Sequence, residues 1–215
     1  MRILRIKPYL ALLLVFFSSF VVAATNTNAQ ATVGPEQLIQ KTADQMIAGL
    51  TANQPQLKSN PEIIYKLVKQ VVLPKVAVQG MSRAVLGRDT WSKATPAQKQ
   101  QFINSFTNLV IGTYASAFAA YTNETVKVFP IRGGVAPDAI VAQVKTLIQR
   151  SDGPDIPVNY NLVKLNGQWK IYDFSVEGVS LVQSFRTQFA SELSNGNLQT
   201  LLARLDAHNK KLQNA

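Results

Sequence analysis

The chain contains no cysteine and one histidine in 215 residues. The first absence excludes disulfides, iron–sulfur clusters, thiolate zinc sites and cysteine nucleophiles. A single imidazole leaves little for a metal site, and a hydrolytic triad needs it in the right place. His208 lies beside Lys210 and Lys211 in a polar C-terminal stretch, the position of a surface residue. Carboxylates are scarce as well, 12 Asp and Glu against 22 Lys and Arg, for a formal charge of +10. Such an excess favours acidic partners, either nucleic acid or an anionic membrane surface. No P-loop, no G-x-G-x-x-G and no H-E-x-x-H occurs.

The N-terminus assigns part of that charge to export. Arg2, Arg5 and Lys7 precede an apolar run from Tyr9 to Val22, and Val22-Ala23-Ala24 is a small-residue cleavage pattern. The run falls short of the roughly 20 residues that span a bilayer, so residues 1–24 read as a cleavable signal peptide. No cysteine follows to carry a lipid anchor. Without the signal the charge becomes +7, from 19 basic and 12 acidic residues. Export points to the periplasm and makes nucleic acid an unexpected partner. Between Lys58 and Lys99 eight basic residues face only Glu62 and Asp89. This stretch is either a solvated helical surface or a docking face for anionic headgroups or an acidic protein, with Lys66, Lys69, Lys75, Arg83 and Arg88 as the candidate docking residues.

The apolar pattern reads as helices, then a sheet, then helices, an α+β chain. Residues 25–33 are small and polar, a flexible N-terminus; residues 34–215 form one domain, with a helical lobe over about 34–94. Pro35, Pro61 and Pro96 are placed as helix starters. Helices are expected near 36–50, 62–72 and 75–86. Thr95-Pro96-Ala97-Gln98 is a capping box opening a long helix over about 96–121, with Phe102, Phe106, Leu109, Val110, Tyr114 and Phe118 on one face. Alternation then switches to period two, giving a curved four-stranded antiparallel sheet over about 124–176. Asn166-Gly167 is its strongest hairpin signal. Ser180-Leu181-Val182-Gln183 reads as a second capping box, and C-terminal helices run over about 180–212 with a break at Asn195-Gly196.

The hairpin register places residues on faces, because opposed residues share one. Counting outward from Asn166-Gly167, Leu162 opposes Ile171 and Tyr160 opposes Asp173. One face then carries Val158, Tyr160, Leu162, Trp169, Ile171 and Asp173. The other carries Tyr172, Phe174 and Val176 among Asn159, Asn161 and Lys170. Both faces are partly apolar, so the sheet is expected to be covered on one side and to line a cavity on the other. Asp173 beside Tyr160 is the one arrangement suited to acid–base chemistry. The competing reading makes Asp173 a hydrogen-bond acceptor that fixes the end of the sheet, and Glu177-Gly178 the corner into the next helix.

Several of these segments carry a family resemblance. Val85-Leu86-Gly87, Ala94-Thr95-Pro96-Ala97-Gln98-Lys99 and Phe102…Phe106 resemble the central motif of the MlaC (toluene-tolerance) family. Ile156-Pro157-Val158, Trp169-Lys170-Ile171-Tyr172-Asp173 and Glu177-Gly178-Val179-Ser180-Leu181-Val182, then Arg186…Phe189, extend it over roughly 36–206. The resemblance implies a periplasmic phospholipid carrier and no enzyme: a sheet like that of nuclear transport factor two, with an added helical lobe, around an acyl-chain cavity. It implies shuttling between an outer-membrane lipoprotein, MlaA, with a porin and an inner-membrane ABC transporter complex containing MlaD, which keeps the outer membrane asymmetric. The expected state is a monomer without cofactor or metal, its phospholipid being cargo. The expected lining is Phe106, Val110, Tyr114, Ile140, Val144, Val158, Tyr160, Leu162, Ile171 and Val179. The alternatives are a carrier or chaperone for another amphiphile, or an isomerase-type enzyme built on Asp173 and Tyr160.

Overall fold

A computed structural model describes residues 33–213. The expected signal peptide and all but the last residue of the expected flexible N-terminus lie outside the described residues. No described helix is long and apolar enough to cross a membrane.

Helix α1 spans Pro35–Asn53, with Pro35 in its first turn and Leu38, Ile39, Thr42, Met46 and Leu50 buried along one stripe. Helix α2 (Glu62–Leu67) runs directly into a π-helical turn, Val68–Val72, and a 3₁₀ turn, Leu73–Lys75, that contains Pro74. The expected helix over 62–72 is therefore α-helical only in its first half. After Pro74 the chain meets the sheet, where Val76 bridges Ile171 and the Ala77 N–H donates to the Ile171 carbonyl at 2.8 Å. Helix α3 (Val78–Leu86) starts after that contact, three residues later than expected. Gly87, at φ +84, turns the chain into a short helix α4, Arg88–Lys93, which periodicity did not resolve. Six residues are too few to show a repeat.

Helix α5 (Pro96–Ala119) is the spine of the molecule. Its capping box closes in both directions: the Gln98 N–H donates to Thr95 Oγ1 at 3.2 Å, and the Thr95 N–H donates to Gln98 Oε1 at 3.0 Å. Two of the N–H groups that a helix start leaves open are thereby satisfied, and Pro96 at the first position has none to satisfy.

The sheet has five antiparallel strands in sequential order: β1 Thr125–Val128, β2 Val141–Gln149, β3 Ile156–Leu165, β4 Gln168–Val176 and β5 Val179–Ser180. The fifth strand corrects the expected four. Glu177 and Gly178 both have positive φ (51° and 85°), the geometry of a tight hairpin turn. The turn folds Val179 and Ser180 back onto Val176 and Ser175. Helices α6 (Leu181–Ser194) and α7 (Leu198–Gln213) complete the chain.

Apolar residues gather in three clusters rather than one. The first joins α3, α4, the N-terminal half of α5, α6 and α7 around Phe102, Phe106, Phe189 and Leu202. The second joins the end of α1, α2 and the C-terminal half of α5 around Leu57, Ile64 and Ile111. The third lies between the start of α1 and the sheet, with Leu38 and Ile39 against Val144, Leu162, Trp169 and Ile171. A polar contact fixes α7 on α5. Asp206 accepts from Gln101 Nε2 at 2.8 Å and from the Ser105 hydroxyl, while Asn209 Nδ2 donates to the Ser105 carbonyl at 2.8 Å.

Candidate functional site

The register of the β3–β4 hairpin decides what faces what. From the Asn166-Gly167 turn the pairing runs as expected to Leu162 opposite Ile171, and then shifts. Asn161 pairs with Asp173 and Tyr160 with Phe174, leaving Tyr172 as an extra residue in β4. A bulge of this kind exchanges the faces of every residue beyond it. Phe174 and Val176 therefore join Val158, Tyr160, Leu162, Trp169 and Ile171 on one apolar face. Asp173 moves to the face of Asn161. This corrects both the Tyr160–Asp173 pairing and the expectation of two apolar faces.

Asp173 is buried at 8% exposure and serves the fold. It accepts from the Ser180 hydroxyl at 2.8 Å and from the Val182 N–H at 3.1 Å, at the N-terminus of α6. Ser180 Oγ accepts from the Gln183 N–H at 3.1 Å, while the Gln183 side chain turns outward to Thr187. The second capping box thus closes on one side only, and Asp173 takes up a further helix N–H. A carboxylate at a helix N-terminus also meets the positive end of its dipole. Asp173 therefore forms no acid–base pair with Tyr160. Among the described residues no three His, Cys, Asp or Glu side chains come together as a metal site.

The remaining candidate is apolar and lies between α5 and the sheet. Along α5, Phe102 stacks on Phe106 at 5.7 Å, and Phe189 meets both rings edge-on from α6. Phe106, expected as lining, is 2% exposed and held in that aromatic cluster. Val110 and Tyr114, one and two turns on, are half-buried at the margin of the first cluster. Tyr114 meets Phe174 at 5.7 Å, and Phe174 meets Tyr160 at 6.3 Å. Tyr160 is at the margin of the third cluster. The row Tyr114–Phe174–Tyr160 therefore runs from the spine helix onto the sheet, joining the margin of the first cluster to that of the third.

Burial pushes the Tyr160 phenol up to about 12 and raises that of Tyr114 as well. Both rings remain neutral over the physiological range and present apolar faces with one polar tip. Such a row offers apolar contact area.

The other expected lining residues divide sharply. Val144, Leu162 and Ile171 are buried beneath α1 in the third cluster, and Val158 is buried beside Val176. Ile140 and Val179 are 66% and 65% exposed. Ile140 precedes β2, and Val179 occupies the two-residue edge strand, so in this structure neither faces the interior. Phe174 was missed, because an unbroken register placed it on the opposite face. The signal was in the sequence: apolar positions are odd-numbered through Trp169 and Ile171 and even-numbered at Phe174 and Val176.

The five candidate docking residues are distributed over the helical lobe: Lys66 on α2, Lys69 on the π turn, Lys75 on the 3₁₀ turn, Arg83 on α3 and Arg88 on α4. The two salt bridges among the described residues are Arg150–Asp152 and Arg204–Glu192. None of the five cations is therefore matched by a described carboxylate.

One solved relative shares this architecture, and two further relatives match in sequence. The protein is similar to a phospholipid-binding protein from Ralstonia solanacearum solved in complex with a phospholipid. The TM-score is 0.76 at 30% identity, over 85% of this chain and 99% of that one. It is 32% identical over 164 residues to the toluene tolerance protein ttg2D of Pseudomonas putida, covering 76% of this chain and 75% of that one. It is 26% identical over 208 residues to the intermembrane phospholipid transport system binding protein MlaC of Haemophilus influenzae, covering 95% and 94%. The profile described as MlaC protein matches residues 40–207, which takes in the spine helix, the whole sheet and the first part of α7. By its sequence, and by the resemblance of its fold to the Ralstonia protein, the chain is a member of the MlaC family.

Proposed function

We propose that the chain is a periplasmic phospholipid carrier that encloses acyl chains between α5 and the apolar face of the sheet. The observation that carries this reading is the half-buried aromatic row Tyr114–Phe174–Tyr160, which runs from α5 onto the apolar face of the sheet. Support comes from the related Ralstonia protein, whose structure holds a phospholipid. At about 0.8 kcal/mol per CH₂, a sixteen-carbon chain left in water costs on the order of 12 kcal/mol. A carrier must therefore cover nearly all of each tail while the headgroup stays wet. An apolar seam with few directional groups grips tails and tolerates different headgroups.

The lining then centres on Val110, Tyr114, Tyr160 and Phe174, with Val158 beneath them. Residues 1–24 direct export and are removed. The basic residues Lys66, Lys69, Lys75, Arg83 and Arg88 serve docking to the membrane complexes between which the carrier moves, an MlaA–porin complex at the outer membrane and an MlaD-containing transporter at the inner one. Lipid removed from one leaflet and delivered to the other membrane preserves outer-membrane asymmetry. Asp173 and Tyr160 take no catalytic part.

Organic extraction of the purified protein followed by mass spectrometry tests the cargo. Phospholipid is expected in the wild type, and it is expected to be lost from Tyr114→Glu while the circular dichroism spectrum is kept. Recovery of a different amphiphile, or of none, would contradict the phospholipid reading.

A further inference from the structure

A cleft of about 320 Å³ opens between α3, α4 and the tip of the β3–β4 hairpin, lined by Ala77, Val78, Gly80, Arg83, Trp91 and Leu165 among others. It shares no residue with the Tyr114–Phe174–Tyr160 row. Gly80 is its most informative member. The residue lies in the first turn of a nine-residue α-helix, where glycine is less favourable than alanine. Local packing does not call for glycine: a Cβ at position 80 meets only the Ala77 Cβ, at an ordinary 3.9 Å. Its φ is not positive either. What the missing side chain does is keep one wall of the cleft open.

The surroundings are apolar and cationic together. Leu165 at the rim is 45% exposed, and Val141, at 59%, is exposed on the same face of the sheet, opposite Val163. Arg83 stands exposed in the lining, and Lys99 lies 5.7 Å over the Trp91 ring. Neither forms a salt bridge with a described carboxylate. Tryptophan and arginine around a pocket are the residue types that dominate protein–protein binding energy.

We infer that this cleft is the docking site for an acidic polypeptide segment that inserts one aliphatic side chain against Trp91, between Arg83 and Leu165, while flanking carboxylates meet Arg83 and Lys99. A concave recess of this size admits a single side chain, whereas a flat bilayer surface cannot reach its floor. The partner is therefore a protein, not an anionic membrane. The inference rests on the docking role proposed for Arg83 but not on the cargo, which can be read separately in every variant below.

Fluorescence anisotropy tests it with a labelled nine-residue peptide of alternating glutamate and leucine. Its controls replace the glutamates with lysine, or the leucines with serine. The acidic leucine peptide is expected to bind the wild type and to weaken as salt rises, and both controls are expected to fail. Arg83→Glu and Gly80→Leu should each weaken binding by about tenfold or more, the first by charge and the second by filling the cleft. Gly80→Ala should bind nearly as the wild type does and melt higher, which separates cleft filling from helix damage. Co-purifying lipid should be the same in all three variants. Absence of binding, equal binding of the acidic and basic peptides, or undiminished binding to Gly80→Leu would overturn the assignment. So would loss of sedimentation with phosphatidylglycerol vesicles in Arg83→Glu and Gly80→Leu in place of peptide loss, since the occupant would then be a lipid surface.

Discussion

Tyr160 and Asp173 sit one strand apart and do different work. Tyr160 contributes an apolar face, and its phenol is pushed up to about 12 by burial. In the unfolded chain it ionises near 10. The folded state thus binds this proton more tightly, so the associated stability is complete below about pH 10 and is lost as pH rises towards 12. Alkaline unfolding followed by circular dichroism should show that loss, and Tyr160→Phe should be less sensitive over the same interval. Asp173, by contrast, holds the start of α6 through Ser180 and Val182. Asp173→Ala leaves those donors without their acceptor and should lower stability by about 1–3 kcal/mol in urea unfolding. Asp173→Asn, which keeps an acceptor oxygen, should cost less. Unchanged lipid content in both variants is expected, because the carboxylate faces away from the seam. The sequence allowed both readings of Asp173. A single extra residue, Tyr172, separated them by moving Asp173 off the Tyr160 face.

Among the elements, those with local signals were legible and those made by contact were not. Thr95, Pro96 and Gln98 lie within four residues of one another, so their capping box could be read directly, and it closes as the pattern implies. The Asn166-Gly167 turn was legible for the same reason, both residues having positive φ. The π turn at Val68–Val72, the short α4 and the two-residue β5 follow from where the chain meets neighbouring elements. Periodicity over five or six residues cannot report that. Placement of α7 is of this second kind. Leucine spacing announced the helix, but its seating on α5 depends on Asp206, Gln101, Ser105 and Asn209, which are about a hundred residues apart in sequence. Asp206→Ala strands the Ser105 hydroxyl and the Gln101 amide in a largely buried interface. It should lower thermal stability by about 1–3 kcal/mol. Hydrogen exchange should show α7 loosening ahead of the sheet.

For the whole molecule, the division of the core into three clusters is the feature that composition could not reveal. A 47% hydrophobic content suits an ordinary packed domain as well as a container. The distinction lies in the tertiary arrangement: α5 is buried in the first cluster by its N-terminal half and in the second by its C-terminal half. Tyr114, in its C-terminal half, meets Phe174 of the sheet. Phe102, Ile64 and Leu162 are fully buried, whereas Val110, Tyr114, Tyr160 and Phe174 are only partly so and are the proposed acyl-chain contacts between α5 and the sheet. The most direct test of that claim is to load the purified protein with a phospholipid carrying a diazirine on its acyl chain, irradiate it and map the adducts by mass spectrometry. Adducts are predicted on Val110, Tyr114, Tyr160 and Phe174, on both walls of the seam. Adducts confined to exposed positions such as Ile140, Val141 and Val179 would contradict an acyl-chain site between α5 and the sheet.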